Sequence, residues 1–116
     1  MGTTNFNNSV RTAAILISDG VKDEARVNIC KVDTGSYVYE AFMKIYNGNN
    51  TEIWVYKKNK VSMTNRYSQV LAGTQVRVSN YGIEYSNQCG KINIPASVSK
   101  KIVLFVKELN SYMNHR

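Results

Sequence analysis

Behind the chain's only proline, Pro95, the apolar residues Val98, Ile102, Phe105, Leu109 and Tyr112 return every three or four positions. That spacing stacks them on one side of an α-helix. It predicts an amphipathic helix over about 97–113, with Ser97 as its N-cap. Upstream of Pro95 the pattern changes to alternation, the period of a half-buried strand. Pro95 closes that region, since it has no N–H to give a ladder. The fold class that follows is α+β. It comprises a mostly antiparallel, meandering sheet of about five to seven strands, barrel-like if it closes, with one C-terminal helix packed on it.

Residues 1–9 are polar and unpatterned, and read as a flexible N-terminal tail before a single α+β domain over 10–116. Residues 11–18 read as a first strand, and Asp19-Gly20 as a hairpin turn whose positions take positive φ. In 21–32, Val21, Ala25, Val27 and Ile29 share a face with Asp23 and Lys31, while Lys22, Glu24, Arg26 and Asn28 share the other. Tyr37–Tyr46 reads as a strand from its β-branched and aromatic content, with a helix capped by Ser36 as the alternative. Residues 52–58 form a strand with Ile53, Val55 and Lys57 on one side and Trp54, Tyr56 and Lys58 on the other. Residues 60–73 are the least patterned, and Tyr67, Val70 and Leu71 suggest one helical turn there. Short strands are expected at 74–79, 83–86 and 91–94.

Tyr37–Tyr46 is apolar on both faces, with Val38, Phe42 and Tyr46 opposite Tyr39, Met43 and Ile45. Such a strand needs cover on both sides. A closed barrel would supply it within one chain. A symmetric homodimer through Tyr39, Phe42 or Met43 would supply it between two, and is the preferred expectation.

Several function classes fall away. The longest apolar runs, 13–17 and 102–106, are five residues each, against about 20 for a membrane helix. No basic-then-apolar leader opens the sequence, so a cytoplasmic protein is expected. Phosphate-loop, dinucleotide, zinc-protease and nucleophile-elbow motifs are absent. The one histidine, His115, is next to last, so neither a metal site nor a Cys–His nucleophile pair is expected. Cys30 and Cys89 read as reduced core residues, with a disulfide as the alternative. The expectation is a protein without cofactor or catalysis.

Charge is the positive lead. The net charge is +7, but residues 1–52 hold five bases against six acids, and 53–116 hold ten bases against two. No acid occurs from 53 to 83, a stretch that contains Lys57, Lys58, Lys60, Arg66 and Arg77. Trp54, Tyr56 and Tyr67 are interleaved with them. Aromatic faces stack bases and cations neutralise phosphates, which is the chemistry of a single-strand platform. Lys100 and Lys101 fall near the start of the final helix, where cations oppose the dipole and a phosphate would offset them. The candidate site is therefore Trp54, Tyr56, Lys57, Lys58, Lys60, Arg66, Tyr67, Arg77, Lys100 and Lys101. Over 91–112 the order of strand, Pro95 and amphipathic helix resembles small single-strand-binding proteins of the Whirly-like kind, which implies the same partner.

Two functions follow as expectations. The first is a basic nucleic-acid-binding protein that uses an electropositive aromatic sheet face for single-stranded DNA or RNA, or for the DNA backbone. The second is a protein-interaction module, such as an accessory or inhibitor protein of a phage or plasmid, which would use a tyrosine-rich face at Tyr37, Tyr39 and Tyr85.

Overall fold

Val10, Ala13, Ala14 and Ile17 are spaced as one side of a helix, and all four are buried. They belong to α1 (Gly2–Asp19) in a computed structural model of the chain. The structure describes residues 2–48, 50–73 and 94–114, with the backbone path alone for 2–5 and 66–73. After α1 come β1 (Glu24–Asp33), β2 (Tyr37–Tyr46), β3 (Thr51–Asn59), β4 (Asn65–Gly73) and α2 (Ala96–Asn114). The α+β class and the C-terminal helix are as expected. α1 replaces both the loose tail expected over 2–9 and the strand expected over 11–18.

Gly20 takes a positive φ of 83°, as a glycine in a hairpin turn would, but it ends a helix instead. Its N–H donates to the Leu16 carbonyl at 2.9 Å. That single bond is the left-handed cap that closes many helices.

The four strands form an antiparallel meander in the order β1-β2-β3-β4. Among the described residues these four do not support the five to seven expected. The strands expected at 74–79 and 83–86, and most of that at 91–94, lie outside the described residues. Tyr37–Tyr46 is a strand along its whole length, so the helical alternative is set aside. The helical turn expected near Tyr67 is also corrected: those residues belong to β4.

Two bulges shape the sheet. Between Asn28 and Cys30 the pairing with β2 skips Ile29. An extra residue in one strand restarts the alternation. Cys30 and Val32 then join Val27 and Ile29 against the core. Lys31 moves to the opposite face, where it pairs with Glu40 at 3.8 Å. Between Ile53 and Trp54 the pairing with β4 skips Val70.

Both helices pack on one face of the sheet and against each other. Val98, Ile102, Phe105, Val106 and Leu109 of α2 meet Tyr39, Ala41, Met43 and Ile45 of β2 and Ile53 and Val55 of β3 in a single core. Tyr112 is exposed, whereas Val106 is buried and Met113 packs against the core. The Phe6 ring stands edge-on to Phe105 at 5.8 Å and ties the two helices together. Burial of Tyr39 and Met43 under helices of their own chain removes the reason for a second copy at those residues. Among the described residues, no helix is long and apolar enough to cross a membrane.

Candidate nucleic-acid interface

The face of the sheet turned away from the helices carries Phe42, Trp54 and Tyr56. Strand alternation places them there, because their neighbours Ala41, Met43, Ile53 and Val55 point into the core. Register sets Phe42 directly opposite Trp54. Neither ring is an open platform, as Phe42 is 5% exposed and Trp54 9%. The Arg26 guanidinium lies 4.8 Å from the centre of the Phe42 ring, and Tyr56 meets the same ring edge-on at 5.1 Å. The Lys44 ammonium lies 5.1 Å from the Trp54 ring. Cations so placed are held by the ring quadrupole, each worth ~0.5–1 kcal/mol near solvent. A base could stack on Trp54 only by displacing Lys44.

This face also lacks a uniform sign. Arg26 pairs with Glu24 at 3.4 Å and Lys31 with Glu40 at 3.8 Å. Glu52 accepts two hydrogen bonds at one oxygen, from the Tyr46 hydroxyl at 2.7 Å and the Trp54 indole at 2.9 Å. Acids and bases alternate across it. On β1 to β3 the expected aromatics are thus present, among charges of both signs.

Three further cations, Lys57, Lys58 and Lys60, lie toward the loop end of the β3–β4 hairpin. Lys57 lies on the helix side of β3, with its ammonium 4.1 Å from the Tyr37 ring and 5.9 Å from Tyr39. Lys58 is on the other side. Neither forms an ion pair among the described residues. Register sets Lys57 opposite Arg66, Lys58 opposite Asn65 and Tyr56 opposite Tyr67. Like charges directly opposed across strands are unfavourable. Lys60 differs, since its ammonium is 3.0 Å from Asp33 at the end of β1. The Gly35 N–H and then Lys60 hold the Asp33 carboxyl below its ordinary value.

Lys100 and Lys101 belong elsewhere. The Val98 and Ser99 N–H groups donate to the Pro95 carbonyl at 3.0 and 3.1 Å, so α2 begins at Ala96 and Ser97 is not its cap. The two lysines then fall in the second turn, beyond the reach of the dipole argument. They are exposed on the helical layer, and Lys101 lies near Cys30. Burial outweighs that cation and raises the Cys30 thiol, which is the state of an unreactive core cysteine. Arg77 and Cys89 lie outside the described residues. The candidate site thus divides among the outer face (Trp54, Tyr56, Lys58), the hairpin end (Lys57, Lys60, with Arg66 and Tyr67 in register) and α2. Arg26, Lys44 and Phe42 were not among the expected residues. They sit on other strands, and only the pairing register brings them beside Trp54.

Family models, curated proteins and solved structures were compared with the chain, and none of them matches it.

Proposed function

We propose that the protein binds nucleic acid by its phosphate backbone, through the open end of the β3–β4 hairpin. The observation that carries this reading is the contrast in charge between the two parts of the sheet. On β1 and β2, Arg26 and Lys31 pair with acids and Lys44 is set opposite Glu52, whereas Lys57 and Lys58 form no ion pair among the described residues and Lys57 is set opposite Arg66. A run of phosphates would relieve that opposition. Backbone contact is favoured over base stacking because the Phe42 and Trp54 rings already carry cations. On this reading the protein is a binding protein rather than an enzyme, with the cytoplasm as its compartment.

The protein-interaction alternative has less behind it. Tyr39 is buried and Tyr37 lies under Lys57, so these two do not form a face apart from the cations. Tyr85 lies outside the described residues.

The test is a binding titration with a DNA duplex and a single strand at several salt concentrations. Three phosphate contacts, from Lys57, Lys58 and Arg66, give a slope of log affinity against log salt near about −2 on single strands and about −3 on duplex. A flat salt dependence, or no binding at low salt, overturns the reading. A pull-down in which the partner survives nuclease would favour the protein-interaction alternative.

A further inference from the structure

The five-residue connection between β3 and β4, residues 60–64, is a braced turn with apolar side chains at its tip. Asn59 organises it. Its side-chain oxygen accepts from the N–H groups of Val61 and Ser62 at 2.9 and 3.0 Å, and its carbonyl accepts from Met63 N–H at 2.9 Å. Its own N–H donates to the Thr64 carbonyl at 2.9 Å. The Ser62 and Thr64 hydroxyls are 2.9 Å apart. The turn is also tied to the neighbouring hairpin, by the Lys60–Asp33 pair and by Lys60 N–H donating to the Ser36 carbonyl at 3.0 Å.

On this frame Val61 is 91% exposed and Met63 60%. Met63 has a φ of 60°, in the left-handed region where glycine or asparagine is the less strained choice. A long apolar side chain is thus held at a strained position and pointed away from the core. Such outliers concentrate where the side chain has work to do.

We infer that the hairpin tip is a wedge for double-helical nucleic acid, with Val61 and Met63 set against a base step and Lys57, Lys58 and Arg66 on the flanking phosphates. This rests on the nucleic-acid reading above and adds the part that enters the groove. One argument favours a groove. Lys57 and Lys58 lie on the strand directly behind the apolar tip, which matches a duplex whose phosphates flank its bases. Apolar wedges that partly unstack a step are an established way to grip and kink a duplex. An anionic bilayer is the weaker fit. One myristoyl chain gives only marginal membrane binding, and two side chains bury fewer carbons than that.

The experiment uses the full chain and a set of duplexes with 2-aminopurine moved along the sequence, whose fluorescence rises when a step unstacks. The expected result is a rise on binding at one or more positions. The double variant Val61→Ser, Met63→Ser should lose that rise and keep the salt slope of the unaltered protein. Both side chains are exposed, so the variant should retain the fold, which circular dichroism and its melting curve verify. Binding by the unaltered protein with no rise at any position overturns the wedge and leaves the backbone reading standing. An equal rise with the double variant does the same. Absence of nucleic-acid binding removes both, and binding to phosphatidylserine vesicles that depends on Val61 and Met63 would assign the tip to lipid instead.

Discussion

The Tyr46 hydroxyl donates to Glu52 Oε1 at 2.7 Å, and that same oxygen also accepts from the Trp54 indole. Burial first, then the hydrogen bond to Glu52 and its negative charge, push the Tyr46 hydroxyl up from 10.0 to about 12. A raised value means that the folded protein holds this proton more tightly than the unfolded chain does. The contribution to stability is complete below pH 10 and is lost as pH climbs through about 12. Tyrosinate absorbance should therefore show one late-titrating group that Tyr46→Phe removes. Glu52→Gln should bring it back toward the ordinary value. A late group unchanged in Tyr46→Phe would refute the assignment.

Gly20 offers a test of how α1 ends. An added Cβ would meet nothing within 4 Å, so strain at φ 83° is the whole cost of a side chain there. Gly20→Ala should destabilise by ~1 kcal/mol, read from the urea midpoint at unchanged slope. Gly20→Asn should cost less, because asparagine tolerates the left-handed region.

Phe105 joins the two helices. It is fully buried, contacts Phe6 edge-on, and belongs to the core shared with the sheet. Phe105→Ala should cost ~3–5 kcal/mol, and Phe6→Ala less, since Phe6 is only partly buried. Chemical denaturation of the two variants and their double should show coupling, because the rings touch. Strict additivity would mean that α1 and α2 do not communicate through this pair.

The strands with unbroken alternation were legible in the sequence. Ile53 and Val55 against Trp54 and Tyr56 gave both the strand and its faces, and Val98, Ile102, Phe105 and Leu109 gave α2. What stayed hidden has specific causes. The unbroken apolar run of 13–17 conceals the spacing of Val10, Ala13, Ala14 and Ile17, and Asp19-Gly20 suits a helix end as well as a hairpin. Each bulge shifts the period by one residue. The bulge at Ile29 moves Lys31 to the outer face, and the one at Val70 leaves Tyr67, Val70 and Leu71 looking helical. The candidate site was legible only along a strand. That Lys57 and Lys58 lie on opposite faces follows from period two. That Arg26 and Lys44 cover Phe42 and Trp54 depends on pairing between strands, which local spacing does not encode.

Met63 should show a trade between stability and binding. Met63→Gly relieves a strained φ and should stabilise the chain by up to ~1 kcal/mol, less the added freedom of glycine in the unfolded state. The same change removes an exposed apolar side chain from the tip, so duplex affinity should fall as the melting temperature rises. If affinity and stability rise together, the side chain is not a contact.

The division of cations between two layers leads to the most direct comparison of sites. Lys57 and Lys58 extend from β3 at the hairpin end, whereas Lys100 and Lys101 are exposed on α2, a helix packed on the sheet. All four add equally to net charge, so an attraction governed by total charge would weaken equally for either pair. Phosphate contact is local, and each lost contact should reduce the salt slope by ~0.7–0.9. Lys57→Ala with Lys58→Ala should therefore flatten the slope by about 1.5 to 2 and weaken binding most at low salt. Lys100→Ala with Lys101→Ala should leave the slope nearly unchanged. Lys57→Ala alone also frees Tyr37 from its cation, so Lys57→Gln serves as a second variant that removes the charge and keeps most of the stem over the ring. Equal slopes for the hairpin and helix variants would move the interface away from the hairpin, and a flatter slope for the helix pair alone would assign it to α2.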